Sequence, residues 1–182
     1  MPNQSRRRGV SPVVSVVLLV GVTVILAATV SAFALGVADG VGDVPPLVSE
    51  SSGELAVQDG FDGGIVRLTH LGGDPVPTDE IVIAVDAEGA CGKSGRLVNL
   101  PAPGGSPNPT DEYVRGEDVF DNSNGILEGP IGEAGGVWEA GETVSFRLAS
   151  SECALDRGEE ITVSVIHTAT ESIVMDETLR VS

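Results

Sequence analysis

From Gly9 to Ala38 the chain has no Asp, Glu, Lys, Arg or His, and no acidic residue occurs before Asp39. Lysine is nearly missing as well, Lys93 being the only one. Aromatic residues make up 3% of the chain, with one Trp and one Tyr, which excludes broad stacking platforms for sugars or bases. Two cysteines and two distant histidines, His70 and His167, cannot supply the four donors of an ordinary zinc site. An uncharged run of this length excludes the plainest reading, a chain that is an ordinary water-soluble domain from end to end.

What is present begins with that run. Arg6, Arg7 and Arg8 stand immediately before it. A bilayer core takes about 20 apolar residues in helical form, so the stretch is long enough to span with some tilt. Basic residues stay on the cytoplasmic side, so Arg6, Arg7 and Arg8 place the start inside and residues 39–182 outside. The expected topology is a single pass. Pro12 suits a first helical turn, where its missing N–H costs nothing. The β-branched residues that follow are weak helix formers in water, but in lipid every backbone group must be satisfied within the segment, and a helix over 10–38 results. Gly21, Ala27, Ala28, Ser31, Ala32 and Gly36 let neighbouring helices approach closely.

Beyond the run the charge reverses. All 27 acidic residues lie there, against Arg67, Lys93, Arg96, Arg115, Arg147, Arg157 and Arg180, which leaves a net charge near −20. Such a surface repels nucleic acid and anionic lipid headgroups, so neither is an expected partner of this part. Cys91 and Cys153 both fall in the exported part. One disulfide between them would close a loop of about 60 residues and contribute roughly 4 kcal/mol; two small buried thiols are the plainer alternative.

The hydropathy period also changes. Residues 39–53, with Gly40, Gly42, Pro45 and Pro46, read as a hinge. Short alternating runs follow at Glu54–Val57, Ile65–Leu71, Glu80–Val85, Arg96–Leu100, Thr143–Leu148, Ile161–His167 and Ser172–Val181, separated by Gly, Pro and Asp turns. About seven strands without a convincing helix imply a β-sandwich over 54–182, with an immunoglobulin-like arrangement as one form of it. The stretch 99–142, rich in Gly, Pro and acids, reads as a long excursion between strands. The fold class expected is α+β: one long hydrophobic helix, then an all-β domain.

Few residues suggest chemistry. Ala87 to Ser94 matches a relaxed phosphate-loop spacing, but that motif needs a helix starting at its lysine, and the chain continues with a strand-like piece. An EF-hand loop ending its first half at Gly125 would need acids where Phe120 and Ile131 stand. No G-x-S-x-G elbow accompanies the serines. Asn108-Pro109-Thr110 is ruled out as a glycosylation sequon by its proline. No catalytic residue, metal ligand or cofactor site is assigned, and no enzymatic activity is expected.

The start itself is more specific. RRRGVSPVVSVVLLVGVTVILAATV resembles the N-terminus of archaeal type IV pilins, especially those of halophilic archaea, whose acidic, lysine-poor surfaces the composition also resembles. The resemblance implies a leader of residues 1–9 cut between Gly9 and Val10 by a prepilin peptidase, with Arg8, Gly9 and Val10 as the processing junction. It implies a filament built with other pilin subunits, identical or different, through the helix. It also implies residence in the membrane before assembly, with the acidic domain outside serving adhesion. Leu68 to Pro75 and Val137 to Glu142 resemble recurring segments of such ectodomains. Bacterial pilins carry a glutamate at the fifth mature position; Val14 stands there. A secretory signal cut after Ala34 and a permanent anchor that never polymerises are the competing readings of the same start.

Overall fold

The computed structural model describes residues 10–39, 44–58, 61–102, 112–121, 127–149 and 151–182. It divides into two compact units, residues 1–44 and 45–182. The first consists of helix α1, Val10–Asp39. The leader 1–9 and hinge residues 40–43 lie outside the described residues.

The second unit is β-rich. Strands β1 (Val48–Gln58) and β2 (Phe61–Gly73) form a long hairpin, and β8 (Thr143–Arg147) joins β2 on its other side. A second sheet runs β10-β9-β4-β5-β6, from β4 (Ile81–Ala87), β5 (Lys93–Leu97), β6 (Val114–Gly116), β9 (Glu160–His167) and β10 (Ser172–Arg180). The two-residue strands β3 (Val76–Pro77) and β7 (Val137–Trp138) pair with each other. Every pairing is antiparallel.

Period-two alternation builds the core. In β4 the inward residues are Ile81, Ile83, Val85 and Ala87, and in β9 they are Ile161, Val163, Val165 and His167. They join Leu55, Val66, Leu68, Val144 and Phe146 from the three-stranded sheet in one continuous cluster. β-branched side chains on a half-buried pleated surface are what these strands favour.

One expected boundary needs correction. The stretch read as a hinge over 39–53 is partly a strand, since β1 begins at Val48 rather than Glu54. Ser52 and Glu54 carry polar side chains on an exposed face, and that polarity hid the strand. The described residues of the region 99–142 also contribute to the core. They include Val119, Phe120, Leu127, Ile131 and Trp138, with Phe120 packed edge-on to Phe146 at 5.8 Å. Their isolated bridges, Phe120 to Leu148 and Glu128 to Ser145, cover the free edge of β8, which an edge strand otherwise presents for aggregation. A short helix, α2 (Glu88–Cys91), interrupts the all-β pattern. The disulfide starts from α2.

One glycine fixes how the domain begins. Gly73 has φ +126, and a Cβ there would run into the Leu47 carbonyl and lie 2.8 Å from the Ser49 nitrogen. Both obstacles are backbone and cannot rotate away. Gly73→Ala is expected to destabilise the domain by about 1–3 kcal/mol, read from a lowered urea midpoint at unchanged slope.

Candidate functional site: the processing junction and the apolar helix

Helix α1 has no acid in its first turn and no base in its last. Nothing in it complements the helix dipole, as a helix ending in water usually does. Side chains from Val13 to Ala32 are exposed, and this 20-residue stretch is long and apolar enough to cross a membrane. At 1.5 Å per residue it covers about 30 Å, one hydrocarbon thickness. The helix is apolar around its circumference rather than along one stripe, the pattern of a segment with apolar surroundings on every side.

Its two threonines are satisfied internally. The Thr23 hydroxyl donates to the Val20 carbonyl at 2.8 Å, and that of Thr29 to the Leu26 carbonyl at 2.9 Å. Neither hydroxyl therefore needs water or a partner helix. Gly21, Ala28 and Ala32 fall within an arc of about 40° around the axis at 100° per residue, a smooth strip on an otherwise bulky surface. Val10 is the first described residue of the helix, and Val14 occupies its second turn without a carboxylate. Arg6, Arg7, Arg8 and Gly9, assigned to topology and processing, lie outside the described residues.

Residues 8–49 match the family model of the archaeal type IV pilin N-terminal domain. The match takes in Arg8, Gly9 and Val10, all of α1 and the first residues of β1. A relative, an uncharacterized protein of Archaeoglobus fulgidus, is 38% identical over 91 residues, covering 48% of this chain and 61% of the relative. The chain thus matches less than two thirds of that relative's length.

The remaining candidates fall in the β-domain that follows the pilin-type segment. Cys91 and Cys153 are joined, with Cα atoms 5.2 Å apart and a sequence separation of 62. The closed loop constrains the unfolded chain by about 4 kcal/mol in the chain-entropy account. Beside it, Lys93 donates to a Glu152 carboxylate oxygen at 2.6 Å. Lys93 opens β5 rather than a helix, so the Ala87–Ser94 spacing builds no phosphate cradle. The EF-hand-like stretch leaves Asp118 exposed, and residues 122–126 lie outside the described ones, as does the Asn108 sequon.

The Lys93 ammonium, by hydrogen bond and by charge, holds the Glu152 carboxyl below the ordinary carboxylate range. A carboxyl with a lowered folded-state value contributes stability that is complete above its unfolded value, about 4.3, and is lost as pH falls through the folded one. Lys93→Met is therefore expected to separate from the native chain in urea titrations above about pH 5 and to converge with it in acid. A gap that persists unchanged in acid would contradict this.

The two histidines do not form a pair. His70 lies on the three-stranded sheet, buried, with its ring edge-on to Trp138 at 6.2 Å. His167 lies on the five-stranded sheet between the Thr170 hydroxyl, 2.8 Å from Nδ1, and Glu80, 3.4 Å from Nε2. Hydroxyl, imidazole and carboxylate in a row are a nucleophile's constellation only where an oxyanion site adjoins. Here the Thr168 backbone and hydroxyl also hold the Glu80 carbonyl, at 2.8 and 3.0 Å. The row closes the β9–β10 turn onto the segment entering β4. Sequence reasoning missed it because Thr170 and Glu80 are far apart along the chain.

Proposed function

We propose that this chain is the subunit of a type IV pilus-like surface filament. A prepilin peptidase removes residues 1–9 after Gly9, and the freed helix passes from the membrane into a bundle of sister helices. The observation that carries the reading is the coincidence of a pilin-type segment over 8–49 with a helix apolar on every side. Lipid before cleavage and sister helices afterwards are two surroundings of the same polarity. The Gly21, Ala28 and Ala32 strip supports close helix approach. The arginines keep the start in the cytoplasm, so the disulfide-bonded acidic domain lies outside, on the filament surface, where it serves adhesion.

N-terminal sequencing of the chain recovered from cells tests the first step, and antibody labelling of surface filaments the second. A mature start at Val10 on labelled filaments is the expected result. A start at Met1 or Pro2 without labelled filaments would instead establish a single-span surface binding protein, and a start at Leu35 a secreted one.

A further inference from the structure

The outer face of the five-stranded sheet is ordered in rows by its register. One row crosses all five strands: Asp176, Ser164, Ala84, Arg96 and Arg115 are successive cross-strand partners. The row above it holds Thr178, Thr162, Asp86 and Ser94. The row below it holds Ile173, Ile166 and Val82, and Ile173 is 60% exposed. The face thus carries Asp176 at its β10 end, Arg96 and Arg115 at its β5–β6 end, and small side chains with Asp86 in the middle. A groove of about 460 Å³ on this face is lined by Ala84, Ser164 and Ser94, by Arg96 and Arg115, and by the carboxylates of Asp86 and Glu88.

One feature of this face lacks an explanation inside one chain. In a chain of net charge −17, Arg96 makes no ion pair among the described residues. Asp176, at the other end of the row, is already oriented by the Ser164 hydroxyl at 2.7 Å.

We propose that this face is a two-fold contact between two copies of the chain. A rotation of 180° about an axis parallel to the strands, between β4 and β9, lays the face on itself. It sets Asp176 of one copy against Arg96 of the other, Ser164 against Ala84, Thr162 against Asp86, Thr178 against Ser94, and Ile166 against Val82. Each juxtaposition is complementary: opposite charges, small with small, hydroxyl with carboxylate or hydroxyl, apolar with apolar. Small central side chains allow two sheets to approach to the usual spacing of about 10 Å. Because each charge pair occurs twice, the contact is self-complementary in the manner of isologous dimers. Such a contact joins two chains and closes, so it cannot propagate along a polar filament. On the pilin reading it links subunits of neighbouring filaments side by side.

The test is thiol cross-linking of the full chain on cells. With Cys91 and Cys153 joined to each other, Ala84→Cys supplies one free thiol beside the axis. A short bis-thiol reagent is expected to give a dimer, and Ser52→Cys on the other sheet is expected to give none. Adding Arg96→Asp or Asp176→Arg lowers the Ala84→Cys yield by about tenfold or more, and the two together restore it. Yields indifferent to the charges, or a double variant that stays low, would overturn the proposal. The same experiment in the Gly9→Leu chain keeps the two readings apart. A charge-dependent dimer without filaments in the native chain would reject the pilin reading and leave the contact standing.

Discussion

Gly9→Leu is expected to leave residues 1–9 attached, giving a chain of slower mobility and no surface filaments, while Gly9→Ala is processed as the native chain is. On the proposed processing the cut falls beside this small residue, and a bulky one would obstruct the peptide bond to Val10. The consequence for assembly follows from charge. Arg6, Arg7 and Arg8 each cost on the order of 3 kcal/mol at the centre of an apolar phase. An uncut chain would thus have to carry roughly 9 kcal/mol of desolvation into a helix bundle. It stays pinned at the cytoplasmic face instead. Removing the leader leaves only the amino terminus of Val10, and with Val14 in place of a carboxylate the helix has no internal charge to neutralise. Mobility on gels and electron microscopy of cell surfaces read the two steps separately. Normal mobility with normal filaments would reject the processing reading.

The helix was legible in the sequence because lipid imposes one solution, a run of apolar residues with its backbone satisfied locally, and no tertiary partner is needed to see it. Most long strands were legible for a similar reason. The alternations from Ile81 to Ala87 and from Glu160 to His167 are nearly perfect in-out patterns. What escaped depends on contacts distant in sequence. Phe120 and Trp138 stand among acids and glycines, and nothing local says that each is buried. Strand β1 escaped because Val48 to Gly53 carries little hydrophobicity and is held by its register with β2. The charge row from Asp176 to Arg115 could not be read in advance either, since it exists only once five strands are set in order. Two segments, Leu68 to Pro75 and Val137 to Glu142, did stand out, and the structure brings them together: the His70 N–H donates to the Glu142 carbonyl at 3.1 Å, and the Gly141 N–H donates to the His70 carbonyl at 2.6 Å.

That meeting point carries the largest stability effect expected in the β-domain. Trp138 has no exposed surface; its Nε1–H donates to the Glu142 carbonyl at 3.0 Å and its ring edge meets His70. Trp138→Ala removes the largest buried side chain of a fold poor in aromatics and opens a cavity that β3, β7 and the turn after them cannot close. A loss of about 3–5 kcal/mol is expected, read from urea unfolding of residues 45–182, which hold their own core, with backbone circular dichroism as the signal. Trp138→Phe separates bulk from the hydrogen bond. The Glu142 carbonyl keeps the His70 N–H as a donor, so no acceptor is left bare and the cost of the lost bond stays within about 1.5 kcal/mol. If Phe cost as much as Ala, the hydrogen bond and not the packed ring would be holding the two segments together. A loss below 1 kcal/mol for Ala, about the bottom of the range for single core changes, would mean that the indole is not part of the core.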